Sequence, residues 1–347
     1  MRLVRRAFPL IAAVAAAAVV AVPSVLPTSA APTQQLTKVA YGADFLISGT
    51  TAPIYIAAEK GYFAEGGIEV TVSRGYGSAD AVKRAATGQA DIVQGDIGTA
   101  MQLRANEGAE VKVVSPLYDK LPHAVLYYDD QGISTPKDLE GKTLADAPGS
   151  APRQLFPAFA AVAGIDALRV EFRSVDASVR NTTFAAGQLS IITAFILNLA
   201  DVEKLAYSQN PNRKILSMRY ADYGLDMYGN GYITSDKMLA ENPQAIAAFV
   251  AGAAKGLRDT YADVPAAVAT VQRYAPEVDT EIATRQLELI RDLVITDRSR
   301  TQGIGTFDET LLARTMQAMV AYNGMATEIP LGDVYAAGME PATPVLP

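Results

Sequence analysis

Two glycine-led turns carry residues able to hold a small ligand. In Gly75-Tyr76-Gly77-Ser78 the turn runs into a helical pattern ending at Ala86, with Ser78 read as its cap. The amides around Ser78 and Ala79 can then receive an acidic or carbonyl group. Pro148-Gly149-Ser150-Ala151-Pro152-Arg153 repeats the arrangement. There Ser150 reads as the cap, Pro152 suits the first turn, and Arg153 can clamp a carboxylate or sulfonate. The same residues equally describe ordinary capping beside a solvated arginine. Gly95-Asp96 closes a strand pattern, and Asp96 can cap the helix after it. Asn198 follows the strand ending at Phe195 and can offer an amide. Tyr228, in Tyr228-Gly229-Asn230, can stack on a ligand and sense closure. Asp44 and Phe45, just past the first strand, set an acid beside a ring. They suit a neutral or weakly basic heteroaromatic compound, or else a loop acid beside a core phenylalanine.

Other chemistries are poorly supplied. The chain has no cysteine, so thiolate metal sites, cysteine nucleophiles and disulfides are excluded. His123 is the single histidine, too few for a multi-histidine metal site. No G-x-S-x-G elbow occurs to partner it in nucleophilic catalysis. Gly303-Ile304-Gly305 lacks the third glycine and helix start of a dinucleotide loop. No cofactor and no metal is expected. Net charge is −7. An acidic body is a poor partner for nucleic acid, whose phosphates need a basic face.

The elements that position these residues follow from periodicity. Residues 1–30 read as an export signal. Arg2, Arg5 and Arg6 precede an apolar stretch from Leu10 to Val22, and Thr28-Ser29-Ala30-Ala31 offers a cleavage site after Ala30 or Ala31. The apolar stretch is short for a membrane span of about 20 residues. Arg5-Arg6-Ala7-Phe8 also has a twin-arginine look, leaving the export route open. Beyond Lys38, strand and helix patterns alternate, as in an α/β protein with mostly parallel sheets. Strands are expected at 38–42, 68–72, 90–94 and 111–115, then at 124–128, within 137–145, and at 170–175, 189–195 and 214–217. Helices are expected between them, at 78–86, 97–105, 151–163, 177–186 and 200–206. Four helices follow, at 243–261, 264–274, 280–293 and 308–324. Chain crossings are expected near 121–126 and 220–232. This gives two lobes, 36–122 plus 226–347 and 123–225. The chain is long enough for both.

Ala57-x-Glu59-Lys60-Gly61-Tyr62-Phe63, followed by Gly67-Ile68-x-Val70, has distinctive wording. So do Thr87-Gly88-Gln89-Ala90-Asp91-Ile92, Pro136-Lys137-Asp138-Leu139-Glu140-Gly141-Lys142, and Pro243 with Phe249, Lys255 and Gly256. In order and spacing these resemble the periplasmic substrate-binding proteins of the nitrate/sulfonate/taurine and thiamine-pyrimidine group. The resemblance implies a two-lobe periplasmic-binding fold of type II character, its first lobe completed by the C-terminal helices. It implies a small-molecule ligand, a monomer, and an ABC permease of the inner membrane as partner. Asp44-Phe45-Leu46-Ile47-Ser48 matches an acid that bonds a ring amine and an aromatic that stacks on it, with phenylalanine for tryptophan and serine for asparagine. The segment from Asp44 to Thr51 is expected to face the ligand. Gly187-Gln188-Leu189-Ser190-Ile191 has serine where the family places aspartate. The ligand class stays open between a pyrimidine or flavin precursor and a sulfonate, nitrate, taurine or aromatic carboxylate. An enzyme making the thiamine pyrimidine, on the same scaffold, would carry a cysteine-rich motif that this chain lacks.

Overall fold

In a computed structural model the described residues are 35–209 and 212–347; the expected export signal lies outside them. The chain builds two five-stranded sheets. The first holds β1 (Thr37–Gly42), β2 (Ile68–Ser73), β3 (Ile92–Asp96) and β4 (Val111–Pro116). The second holds β5 (His123–Tyr128), β6 (Thr143–Asp146), β7 (Glu171–Ser174), β8 (Ile191–Phe195) and β9 (Ile215–Arg219). The chain then returns to the first sheet as β10 (Asn230–Ser235), giving orders β2-β1-β3-β10-β4 and β7-β6-β8-β5-β9. In each sheet four strands run one way and a fifth opposes them. The opposing strands, β10 and β5, are the first after each crossing. They enter from the other lobe, so no helical crossover sets them parallel to their neighbours.

The opening segment shows how local sequence becomes packing. In β2 Ile68 is buried while Glu69 and Thr71 are exposed, the period of a half-covered strand. Gly61 ends the helix Ala52–Glu59 with φ of 76°, a conformation that suits glycine. Tyr62–Glu65 then forms a single helical turn. Phe63 stacks on Phe249 of the helix Pro243–Ala262, ring centroids 5.4 Å apart, and Phe249 stacks on Tyr41 of β1 at 5.5 Å. Tyr62 donates to Asp259 at 2.6 Å. The first of the C-terminal helices is thereby fastened to the first sheet.

Three local expectations are corrected. Gly77, with φ of 119°, occupies the cap position of the helix Ser78–Ala86, and the Ser78 hydroxyl instead accepts from the Asp96 amide at 3.1 Å. The helix expected over 151–163 is broken at Leu155 into Ala151–Gln154 and Phe156–Ala163. Pro157 has no N–H to continue the first ladder. A short helix, Asp297–Gln302, was not anticipated; Thr296 caps it.

The lobes meet along several polar contacts. Lys204 reaches Asp279 at 2.8 Å and Glu281 at 2.7 Å, and Arg219 reaches Asp292 at 3.6 Å. Gly49 lies so close to the helix Thr280–Val294 that a Cβ there would sit 2.4 Å from the Ala283 carbonyl. This close approach lays the loop after β1 against a C-terminal helix. Among the described residues, no helix is long and apolar enough to cross a membrane.

Candidate functional site

The loop after β1, the middle of β3, both crossings and the start of the helix Asn198–Gln209 surround one cavity. Its volume is about 90 Å³. Asp44, Phe45 and Ser48 line it from the loop after β1, and Phe195, Leu197 and Asn198 from the segment that ends β8 and starts the next helix. Gln94, Tyr118 and Asn230 also face it. A narrower cleft continues between the lobes, lined by Gly77, Ser78, Ser150 and Arg180 together with Asp44, Phe45 and Asn198.

Asp44 is 7% exposed, and its Oδ2 accepts from Asn230 Nδ2 at 2.6 Å. Burial pushes its carboxyl up to about 6, partly offset by that bond. Phe45 offers its ring to the cavity, and the Arg180 guanidinium stands 5.5 Å from the ring centroid. Ser48 shares a 3.0 Å hydroxyl contact with Thr50. Thr51 sits beneath, accepting from the Ser48 amide at 3.3 Å, and does not line the wall.

In the segment after β8, Asn198 is held as an acceptor. Its Oδ1 takes a bond from Arg180 Nη2 at 2.8 Å and one from the Phe195 amide at 3.3 Å. Arg180 also donates to Asp146 at 2.8 Å and to the Thr193 carbonyl at 3.2 Å, while Thr193 Oγ1 donates to Asp146 at 2.8 Å. These buried groups form a satisfied network under that segment.

Several residues singled out in the sequence are placed elsewhere. Gly95 lies inside β3, where a Cβ would meet Ile233 at 3.2 Å. Asp96 is fully buried and caps the helix Ile97–Glu107 by accepting from the Thr99 amide at 2.7 Å. Its second oxygen stands 3.7 Å from His123 Nε2, and neither atom has a hydrogen-bond partner. Burial raises Asp96 to about 7 and lowers His123 to about 3. Arg153 donates to the Asp146 carbonyl and to Ser174, both at 3.0 Å, and lies over Phe172, outside both cavities. The Tyr228 hydroxyl accepts from the Asp308 amide at 2.7 Å and bonds Arg298, also outside them. Ser150 occupies a helix cap without a side-chain bond to it.

The profile of the family described as NMT1/THI5 like matches residues 49–267. The chain belongs to the NMT1/THI5-like family. Within the matched span lie Arg180, Asn198 and Asn230, while Asp44, Phe45 and Ser48 precede it. A riboflavin-binding protein of Chloroflexus aurantiacus is 26% identical over 314 residues, covering 86% of each chain. A formylaminopyrimidine-binding protein of Halalkalibacterium halodurans is 22% identical over 204 residues, 58% of this chain and 60% of its own length. Among solved structures, the alkanesulfonate-binding protein of Xanthomonas axonopodis bound to MOPS matches with a TM-score of 0.66. It is 12% identical and covers 88% of this chain and 98% of its own. At that identity the likeness speaks for the two-lobe fold.

The residues missed in the sequence have a physical reason. Arg180 stands on a short helix of β-branched and polar residues and becomes relevant only through Asp146 and Asn198, 34 and 18 positions away. Gln94 sits mid-strand. Asn230 adjoins the tyrosine that drew attention, and its amide was the only signal available.

Proposed function

We propose that this NMT1/THI5-like chain is the solute-binding subunit of an ABC importer, exported to the periplasm through residues 1–30. It binds as a monomer and delivers ligand to a permease of the inner membrane. It is a binder and performs no covalent chemistry. The lobes, 36–122 with 226–347 and 123–225, close over the ligand by bending at the two crossings. Ligand would favour the closed form by its differential affinity for it.

The ligand favoured is a small heteroaromatic compound, such as a pyrimidine or a flavin precursor. One observation supports this most: the buried Asp44, its neighbour Phe45 and Phe195 line one cavity. A flat ring can stack there while an N–H donates to the acid. The second reading, a sulfonate or nitrate, draws on the helix start at Gly77-Ser78 and on Arg180. Arg180 is already bonded to Asp146, and Asp44 and Asp201 both line the cavity, so an anion would meet more negative than unpaired positive charge. The two relatives, a riboflavin-binding and a formylaminopyrimidine-binding protein, agree with a ring.

An affinity of about −8 kcal/mol, a micromolar constant, suffices for capture. A thermal-shift panel of flavins, pyrimidines, sulfonates, taurine, nitrate and aromatic acids tests the reading. A ring compound is expected to raise the melting temperature in proportion to the logarithm of its concentration. A shift with sulfonates alone would overturn the ring reading, and no shift across the panel would overturn the binder.

A further inference from the structure

Two polar atoms in the cavity wall have no partner. Tyr118 Oη and Asn230 Oδ1 are buried, each residue only 1% exposed, and neither has a partner in good hydrogen-bond geometry; the Gln94 amide stands beside Tyr118 Oη, but its Oε1 already accepts from Tyr41. Several buried tyrosine hydroxyls elsewhere in the fold are satisfied, although Tyr261 Oη, outside the cavity, also lacks a partner. Tyr41 bonds Gln94 at 3.0 Å, Tyr128 the Phe184 carbonyl at 2.7 Å, and Tyr220 the Pro152 carbonyl at 2.8 Å. A native fold rarely leaves such groups unpaired without cause. Here both belong to residues that line the cavity.

The backbone holds the two residues together. The amides of Leu117 and Tyr118 both donate to the Asn230 carbonyl, at 2.8 and 3.0 Å, and Gly229 donates back to the Tyr118 carbonyl at 3.2 Å. The two chain crossings are thus stitched to each other at these positions. Their side chains offer opposite senses. The Tyr118 hydroxyl, kept neutral by burial, has a proton to donate. Asn230 has committed its nitrogen to Asp44, which leaves its oxygen as an acceptor.

We infer that Tyr118 and Asn230 are specificity-determining residues that read one edge of the ligand, requiring an N–H donor next to an acceptor atom. Lactam and amino-azine rings carry such an edge. The donor serves Asn230 Oδ1 and the neighbouring Asp44, and the acceptor takes the Tyr118 proton. A sulfonate or nitrate group presents acceptors only and would set an oxygen against Asn230 Oδ1. This inference rests on the ring reading of the cavity and assigns which atoms of the ring are read. Because both readers sit on the crossings, filling the edge also joins ligand recognition to the segments about which the lobes bend.

The test is calorimetric titration of the wild-type protein and Tyr118→Phe with riboflavin, 4-amino-2-methylpyrimidine and their N-methylated counterparts, 3-methylriboflavin and 4-dimethylamino-2-methylpyrimidine. Wild type should bind at least one parent ring and bind its N-methylated form about tenfold or more weakly, since one unpaired buried group is left behind. Tyr118→Phe should bind the parent about tenfold more weakly, with an unchanged or higher ligand-free melting temperature. A merely structural hydroxyl would lower that temperature and leave affinity alone. If Tyr118→Phe and the N-methylated rings bind as well as their references, this inference is overturned while the ring reading stands. If wild type binds none of the four rings, the ring reading fails and takes the inference with it.

Discussion

Asn230 donates to Asp44 at 2.6 Å, joining the first residue of β10 to the loop after β1 across 186 positions of sequence. The bond does two things. It fixes the asparagine's nitrogen on Asp44, leaving its oxygen as the unpaired atom, and it partly offsets the cost of burying a carboxylate. The site is therefore built by the return of the chain to its first sheet.

Asp44 sets a pH dependence. Its carboxyl is raised to about 6, so it is a carboxylate at neutral pH and loses charge as the pH falls through that value. A ring donating an N–H to it should bind progressively more weakly below about pH 6. Asp44→Asn should bind weakly with a flat profile between pH 5 and 8. Titrating both proteins at several pH values checks this, and parallel profiles would contradict it.

Arg180 should be structurally expensive to remove. It is 2% exposed and bonded to Asp146, the Thr193 carbonyl and Asn198. Arg180→Ala leaves Asp146 charged, buried and short of its cation, at a cost of about 3–5 kcal/mol. Urea unfolding reads this directly, and a loss near zero would mean the network does not hold the segment that carries Asn198.

Gly256 marks a tight helix contact. A Cβ there would stand 2.0 Å from the Pro53 carbonyl. Gly256→Ala should therefore destabilise by about 1–3 kcal/mol, although alanine is the better helix former. A stabilised variant would contradict the packing described between Pro243–Ala262 and Ala52–Glu59.

Asp96 and His123 oppose each other in acid. Asp96, raised from 3.8 to about 7, contributes stability that is complete below pH 3.8 and lost as pH rises through 7. His123, lowered from 6.5 to about 3, contributes stability present above pH 6.5 and lost as pH falls towards 3. Between pH 7 and 4 the two slopes offset each other. His123→Phe should become more stable on acidification over that range, and Asp96→Asn less stable. Urea midpoints at pH 7, 5.5 and 4.5 check the pair; two variants that track wild type would contradict it.

Much of this was legible in the sequence. The alternating β and α patterns and the four late helices appear where periodicity places them, because each is a local property of the chain. The resemblance carried by Glu59-Lys60-Gly61-Tyr62-Phe63 pointed to the family. Asp44, Phe45, Ser48 and Asn198 fall on the cavity and Gly77, Ser78 and Ser150 on its continuation. Arg153, Thr51, Gly95 and Tyr228 do not line it. Arg153 was singled out by its place in a cap turn, but its side chain turns back to Asp146 and Ser174. Arg180 carries no local mark and depends on partners that only the folded second sheet brings together. Tyr118 and Asn230 meet across the two crossings, a relationship no window of sequence contains.

The most direct measurement is calorimetric titration of the protein with riboflavin, an aminopyrimidine, MOPS and taurine, alongside Phe45→Ala. One ring per chain should bind with a micromolar or tighter constant, weakened about tenfold or more in Phe45→Ala, with neither sulfonate giving saturable heat. Saturable binding of MOPS or taurine with silence from both rings would contradict the account.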